Sequence, residues 1–247
     1  MKYLLISDAG HAEKVAGKEA PDKSFREWKF NHEMDLMLKQ RCKDHAIDYY
    51  QTNPSPEQKD EIGLTKRAEL ANEYWKKNGK PNALFVSIHA NAYKNEFNEA
   101  RGTETYVASN ASQNSKSAAK YMQNEIYKCI KSLDTNSKDR GVKASDFTVI
   151  YKANMPAIVI EYAFYSNRED LKILKNNQSE LIEATMRAIC TYFGIEYKSL
   201  EKNNNTNEIN SKFYKVCLIA CKDRENAVKV KNEAISKGFT DAYMIYE

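Results

Sequence analysis

Through residue 194 the chain alternates short apolar runs with segments whose apolar residues recur at helical spacing. Tyr3 to Ser7 (YLLIS) predicts a buried strand. A polar loop from Asp8 to Ser24 follows, punctuated by Gly10, Gly17 and Pro21. Phe30, Met34, Met37 and Leu38 keep the helical interval and predict a helix from about Glu27 to His45. Ile47 to Gln51 reads as a strand, and Asn53 to Pro56 breaks the chain. Leu64, Ala68, Ala71 and Trp75 line one side of a second helix, Leu64 to Lys77. Strands are then expected at Ala83 to His89 (ALFVSIH) and Thr103 to Val107, with a third helix from Ser115 to Leu133. Phe147 to Tyr151 and Ala157 to Tyr162 also read as strands, and a last helix, Gln178 to Phe193, stops at Gly194. Near-continuous apolar strands separated by helices imply an α/β fold: a mostly parallel twisted sheet flanked by helices on both faces.

The pattern changes after residue 196. Residues 197–211 are polar, include three consecutive asparagines and read as a linker. Residues 212–247 predict one small β-α-β unit. Phe213 to Ala220 is a strand, Asp223 caps a helix running to about Ser236, Gly238 ends it, and Asp241 to Tyr246 is a second strand. Such a unit falls below the ~40 residues at which lone domains struggle to bury a core. The expected division is therefore 1–196, a linker at 197–211, and 212–247.

Composition adds exclusions. A hydrophobic share of 42% supports one medium core, and 29% charged residues is ordinary for a soluble chain. The net charge of +4 is mild and its basic residues are dispersed, which argues against a nucleic-acid partner. Five cysteines, at 42, 129, 190, 217 and 221, are odd in number and irregular in spacing, so reduced and mostly buried thiols are expected. No apolar run approaches the ~20 residues of a membrane span, so no membrane insertion is expected. Met1 to Ser7 is too brief for the ~7–15-residue apolar core of a signal peptide. Synthesis in the cytoplasm is expected, with release by another agent if the substrate lies beyond the membrane.

Four positions carry candidate chemistry: His11, Glu27, His89 and Glu161. His11 follows the first strand, His89 ends ALFVSIH, Glu161 sits late in AIVIEY, and Glu27 begins a helix. Two histidines and one glutamate are zinc-ligand types that leave a fourth position for water. Loops at the carboxyl ends of strands in an open α/β sheet gather into one crevice, so distant residues can meet. Taken singly, each histidine is more often a packing or surface residue, and Glu27 reads as an acid favoured by the helix macrodipole. Glu161 is harder to dismiss, because a carboxylate ending so apolar a run is costly to bury unpaired. His32 lies five residues past Glu27, about 140° around the helix, and His45 sits at a helix end where it suits the dipole.

Seen together, several segments have a common pattern. They are Asp8-Ala9-Gly10-His11, Phe25-Arg26-Glu27, Arg67-Ala68-Glu69-Leu70-Ala71-Asn72 and Ser87-Ile88-His89-Ala90-Asn91. Gly102-Thr103-Glu104-Thr105-Tyr106, Arg140-Gly141-Val142 and Met155-Pro156-Ala157 through Glu161, then Phe164-Tyr165-Ser166-Asn167, complete it. In this order they resemble the zinc-dependent N-acetylmuramoyl-L-alanine amidases, the amidase-3 family, over residues 2 to 194. Ala12 and Ala163 stand where many members carry glycine. The resemblance implies zinc held by His11, Glu27 and His89, with Glu161 as general base that passes its proton to the leaving amine. It implies bacterial peptidoglycan as partner, cut between N-acetylmuramic acid and L-alanine. Asn91, next to a ligand, would contact substrate or stabilise a turn.

The tail resembles one repeat of the sporulation-related (SPOR) peptidoglycan-binding domain, through Lys222-Asp223-Arg224-Glu225-Asn226-Ala227 and a later Gly238-Phe239. That domain normally has two repeats, so a second chain would complete it as a homodimer, or the unit serves as a structural cap. A phage endolysin or a spore-former's mother-cell lytic enzyme, acting on the wall after release, fits these features. The alternatives are a zinc peptidase acting on the stem peptide and a non-catalytic wall-binding protein.

Overall fold

The computed structural model describes residues 2–57 and 59–200, together with residues 226, 228–230 and 233. The chain divides into two units, Met1–Leu200 and Glu201–Glu247, and the described positions of the second are helical. The expected β-α-β arrangement over 212–247, its SPOR-like glycan binding and its pairing with a second chain otherwise lie outside the described residues.

In the first unit the apolar runs form strands and the helical-period segments form helices. The elements are β1 (Tyr3–Ala9), α1 (Glu27–Asp44), β2 (Asp48–Gln51), α2 (Leu64–Lys77), β3 (Asn82–Asn91) and β4 (Thr103–Val107). They continue with α3 (Gln113–Leu133), β5 (Asp139–Ala144), α4 (Thr148–Tyr151), β6 (Ala157–Phe164), α5 (Arg168–Asn176) and α6 (Gln178–Phe193). The strands make one sheet in the order β2-β1-β3-β6-β4-β5. Every pairing is parallel except β4 with β6, which is antiparallel.

The two faces are covered unequally. Leu84, Val86 and Ile88 of β3 and Ile158, Ile160 and Tyr162 of β6 point toward α1, α3, α5 and α6 and form the main core. The alternate positions, Leu4, Ile6, Phe85, Ala157 and Val159, meet Ala71 of α2 and Val149 and Ile150 of α4 in a smaller core. Period-2 alternation then puts Asp8, Ser87, His89, Glu161, Glu104 and Tyr106 on this second face, beyond the apolar patch that α2 and α4 cover.

The structure corrects one reading and adds two elements that the pattern did not indicate. Phe147 to Tyr151 is not a strand: Thr148–Tyr151 is a helical turn, and its adjacent residues Val149 and Ile150 both enter the core. A strand would have sent them to opposite faces. β5 carries DRGVKA, an edge strand without a buried apolar position, so no hydrophobic pattern announced it. α5 escaped notice because it is short; the Asn167 side chain caps it by accepting from the Glu169 and Asp170 backbone N–H groups. β1 also runs on through Asp8 and Ala9, and β3 extends past His89 to Asn91.

Residues just after α6 are tied down. Arg41 pairs with Glu183 at 2.6 Å and donates to the Lys198 carbonyl at 2.5 Å. His45 bridges the same region: its Nδ1 contacts the Arg41 carbonyl at 2.7 Å, and its Nε2 accepts from the Lys198 N–H at 2.9 Å.

Asp170 performs a comparable task beside the site. Its buried carboxylate accepts from the backbone N–H of Gly102 (2.7 Å) and of Phe164 (3.0 Å), and lies 3.3 Å from Arg101 Nη2. It thereby joins the start of β4 and the end of β6 to α5. Replacement Asp170→Ala should destabilise the fold by about 3–5 kcal/mol, because it strands buried donors and a charge. Urea denaturation measures this; a loss below about 0.5 kcal/mol, typical of a surface change, would contradict it.

Candidate active site

His11 leaves the end of β1 in a left-handed conformation, with φ of 64°. Such a backbone is uncommon for a residue other than glycine and needs support. Asn53 supplies it by donating from one side-chain amide to the carbonyls of Ala9 (3.0 Å) and His11 (2.8 Å). Asn31 of α1 donates to the Gly10 carbonyl at 3.0 Å, and Gly10 N–H donates to Ile88 of β3 at 3.1 Å. Gly10 is required by close approach: a Cβ there would lie 2.1 Å from His89 Cε1.

Glu27 opens α1 and its carboxylate is almost fully buried. His89 Nδ1 lies 3.0 Å and His11 Nε2 3.4 Å from Glu27 Oε1. The two imidazoles meet edge to face with centroids 5.1 Å apart. One ligand atom from each of the three residues lies within 4.8 Å of the others. Burial pushes the Glu27 carboxyl up, but the hydrogen bonds from His11 and His89 outweigh it and hold the group well below the usual carboxylate range. Burial would lower His11, yet its bonds to Glu27 and Glu61 raise it to about 9. A histidine–glutamate–histidine donor set converging on one point fits a divalent first-row cation.

A second layer of charge stands behind the cluster. Glu61 Oε1 lies 3.2 Å from His11 Nδ1, an ion-pair contact that sets a carboxylate behind the imidazole. Arg67, buried on α2, pairs with Glu61 at 3.2 Å and with both Asp8 oxygens at 3.1 Å. Asp8 also accepts from Thr52 Oγ1 (2.5 Å) and Ser87 Oγ (2.7 Å). Asn72, one turn further on α2, docks the helix by pairing with Lys152 O and Asn154 N, both at 2.8 Å.

Glu161 sits on β6 in register with His89 on one side and Glu104 of β4 on the other. Its Oε2 is buried and has no hydrogen-bond partner among the described residues. Burial, and then the charges of Glu27 and Glu104, raise its carboxyl well above the usual range. Glu104 is the opposite case: it accepts from Asn91 Nδ2 (2.6 Å), Tyr106 OH (2.9 Å), Arg140 Nε (2.6 Å) and Lys143 Nζ. Asn91 is thus engaged with Glu104 through its amide N–H, and its Oδ1 accepts from Ala92 N–H at 2.8 Å.

The four residues singled out from the sequence therefore meet in one place. His32 does not join them; its Nε2 lies 3.7 Å from Glu57. Glu61, Glu104, Arg140 and Tyr165, whose hydroxyl lies 3.4 Å from Glu27 Oε2, were not singled out. Glu104 and Arg140 fell inside segments quoted for their family pattern, which was the available signal.

The likeness to known proteins agrees with this geometry. The N-acetylmuramoyl-L-alanine amidase family model matches residues 6–191. An endolysin of Bacillus phage SPP1 is 29% identical over 209 residues, covering 81% of this chain and 69% of the phage protein. The catalytic domain of CwlV, an N-acetylmuramoyl-L-alanine amidase from Bacillus (Paenibacillus) polymyxa var. colistinus, superposes with a TM-score of 0.65 at 28% identity. That match covers 79% of this chain and 100% of the domain. An N-acetylmuramoyl-L-alanine amidase from Clostridium difficile 630 gives 0.67 at 29% identity, covering 79% and 99%. The matched span covers most of the described unit and contains every residue of the His11–Glu27–His89–Glu161 cluster, and on that ground this chain belongs to the N-acetylmuramoyl-L-alanine amidase family, amidase-3.

Proposed function

We propose that this chain hydrolyses the amide bond between N-acetylmuramic acid and L-alanine in bacterial peptidoglycan, with zinc as its metal. One observation carries the reading: three ligand-type side chains converge within 4.8 Å, and the half-buried Glu161, whose Oε2 has no hydrogen-bond partner among the described residues, occupies the neighbouring strand position. His11, Glu27 and His89 would hold the ion. When bound, zinc supplies Lewis-acid polarisation of the scissile carbonyl and makes water acidic enough to attack near neutral pH.

The chain's own groups do the rest. Glu161 Oε2 takes a proton from the attacking water as the new carbon–oxygen bond forms. It returns that proton to the amide nitrogen as the carbon–nitrogen bond breaks and the L-alanine amine leaves. A carboxyl raised above the usual carboxylate range favours keeping the proton between the two transfers. Glu61 stands beside the His11 ring as a counter-charge, and Arg67 holds Glu61 in place. Asn91 acts through Glu104 as a positioning residue. A lytic role on the wall after release from the cytoplasm belongs to the same proposal and is supported by the likeness to the phage endolysin.

Chelation should abolish solubilisation of purified cell walls, and added zinc should restore it; undiminished activity in excess chelator would exclude the metal. The product released should be an intact peptide with a free L-alanine amine, as mass spectrometry would show. Cleavage inside the peptide would instead mean a peptidase. Glu161→Gln should retain zinc while turnover falls by about 10²–10⁴-fold. A near wild-type rate in that variant would assign the proton transfer to another group. Gly10→Ala should drive the His89 ring from its place and weaken zinc binding by about 10-fold or more, read by competition with a chromophoric chelator. Unchanged affinity would show that His89 is not a ligand.

A further inference from the structure

The row of acids that begins at the metal-type cluster does not stop at Glu161. Across β3, β6 and β4 the register runs His89, Glu161, Glu104. Arg140 of β5 then reaches back to Glu104 Oε2 at 2.6 Å, and Lys143 Nζ reaches the same oxygen. Two cations therefore converge on one carboxylate oxygen. Asn91 and Tyr106 already satisfy the other oxygen of Glu104. Neutralising a single buried acid needs one cation. The second one brings a further positive charge to Glu104, the register neighbour of Glu161.

The cations are also presented outward. The Arg140 and Lys143 side chains remain 33% and 36% exposed, whereas Glu104 beneath them is 2% exposed. Arg140 uses only Nε on Glu104, leaving its two terminal amino groups without a hydrogen bond among the described residues. Its guanidinium rests on the Phe164 ring, 4.8 Å from the centroid, which fixes the plane of the fork. A planar fork with free amino groups matches a carboxylate. Phe147, 40% exposed and packed edge-on against Tyr106, gives an apolar flank beside it.

We propose that Arg140 and Lys143 form a recognition site for a carboxylate on the leaving peptide, one residue beyond the L-alanine at the cut. This rests on the amidase reading of the site. Distance supports the assignment: β5 lies two strand spacings, about 10 Å, from β6, Arg140 reaches back across one of them to Glu104, and two extended peptide residues span about 7 Å. A substrate cut beside Glu161 and extending toward β5 brings its second residue to the Arg140 fork. Arg140 and Lys143 are specificity-determining groups that touch the peptide, and Glu104 positions them.

The test compares two synthetic substrates, N-acetylmuramoyl-L-alanyl-D-glutamate and the same compound with both glutamate carboxylates amidated. The zinc-loaded full chain should show a KM at least about 10-fold lower for the acid than for the amide, the size expected of a charge-assisted bond. That ratio should collapse to below about 3-fold in Arg140→Gln and shrink in Lys143→Gln. Because each variant is compared with itself on two substrates, a general loss of activity does not affect the ratio. Calorimetry with the product L-alanyl-D-glutamate gives a readout without turnover: binding to wild type should weaken in parallel in both variants. Equal KM values for the two substrates in wild type, or a ratio that survives both substitutions, would overturn the assignment while leaving the amidase reading intact. Failure of the zinc-loaded wild type to cleave either compound would overturn both.

Discussion

A carboxylate at the first residue of α1, 2% exposed, lies between two imidazoles, and that burial constrains everything near it. Left alone, such a charge is expensive in a desolvated place. Two ring nitrogens at 3.0 and 3.4 Å offset the cost, provided that both rings are held there. His11 must adopt a left-handed backbone, which Asn53 and Asn31 stabilise from opposite sides. His89 needs the space that Gly10 leaves open. Arg67 and Asp8, both buried, tie α2 to the end of β1 and hold Glu61 against the outer nitrogen of His11. The same contacts that make Glu27 tolerable without a cation make the cluster a ready ligand set.

How far this could be read from the sequence depended on whether a residue's role is local. Strands such as Ala83 to His89 and helices such as Leu64 to Lys77 announce themselves, because a buried face imposes period 2 or 3.6 on the residues that form it. β5 has no such face, and α4 is a single turn whose Phe-Thr-Val-Ile-Tyr run is β-branched and aromatic, so propensity pointed to the wrong element. The ligands divided in the same way. Glu161 stands out because an acid contradicts the apolar run before it. Glu27 obeys a common helix-start preference and is invisible without the family pattern. Glu61 lies in a loop with no period, and its importance arises only from where Arg67 holds it.

Unequal cover of the sheet explains why a reaction centre forms where it does. One face is sealed by α1, α3, α5 and α6, and every strand contributes apolar residues to it or stays near its edge. The other face is covered only by α2 and the single turn of α4. Beyond their reach the inward positions change from Phe85 and Ala157 to His89 and Glu161, four residues further along each strand. Polar side chains there lie beyond the packed layer, and His89 and Glu161 stay only half-buried, so they keep charge without losing all their solvent. The sheet supplies rigidity and the missing cover supplies access.

The reversal of a single strand determines what stands beside Glu161. Because β4 runs antiparallel to β6, its second residue, Glu104, lies beside Glu161 in the second half of β6. A parallel β4 would have carried Glu104 to the far end of the sheet. β5, parallel to β4, then brings Arg140 from its own first turn of pleat to the same end. Two acids placed side by side on adjacent strands repel, and the cations of the edge strand relieve only one of them. Glu104 takes Arg140 and Lys143, which lowers its carboxyl despite burial, while Glu161 is left unpaired with its carboxyl raised. The topology thus makes two adjacent glutamates unlike: Glu104 is held by two cations with its carboxyl lowered, and Glu161 lacks such partners and has its carboxyl raised.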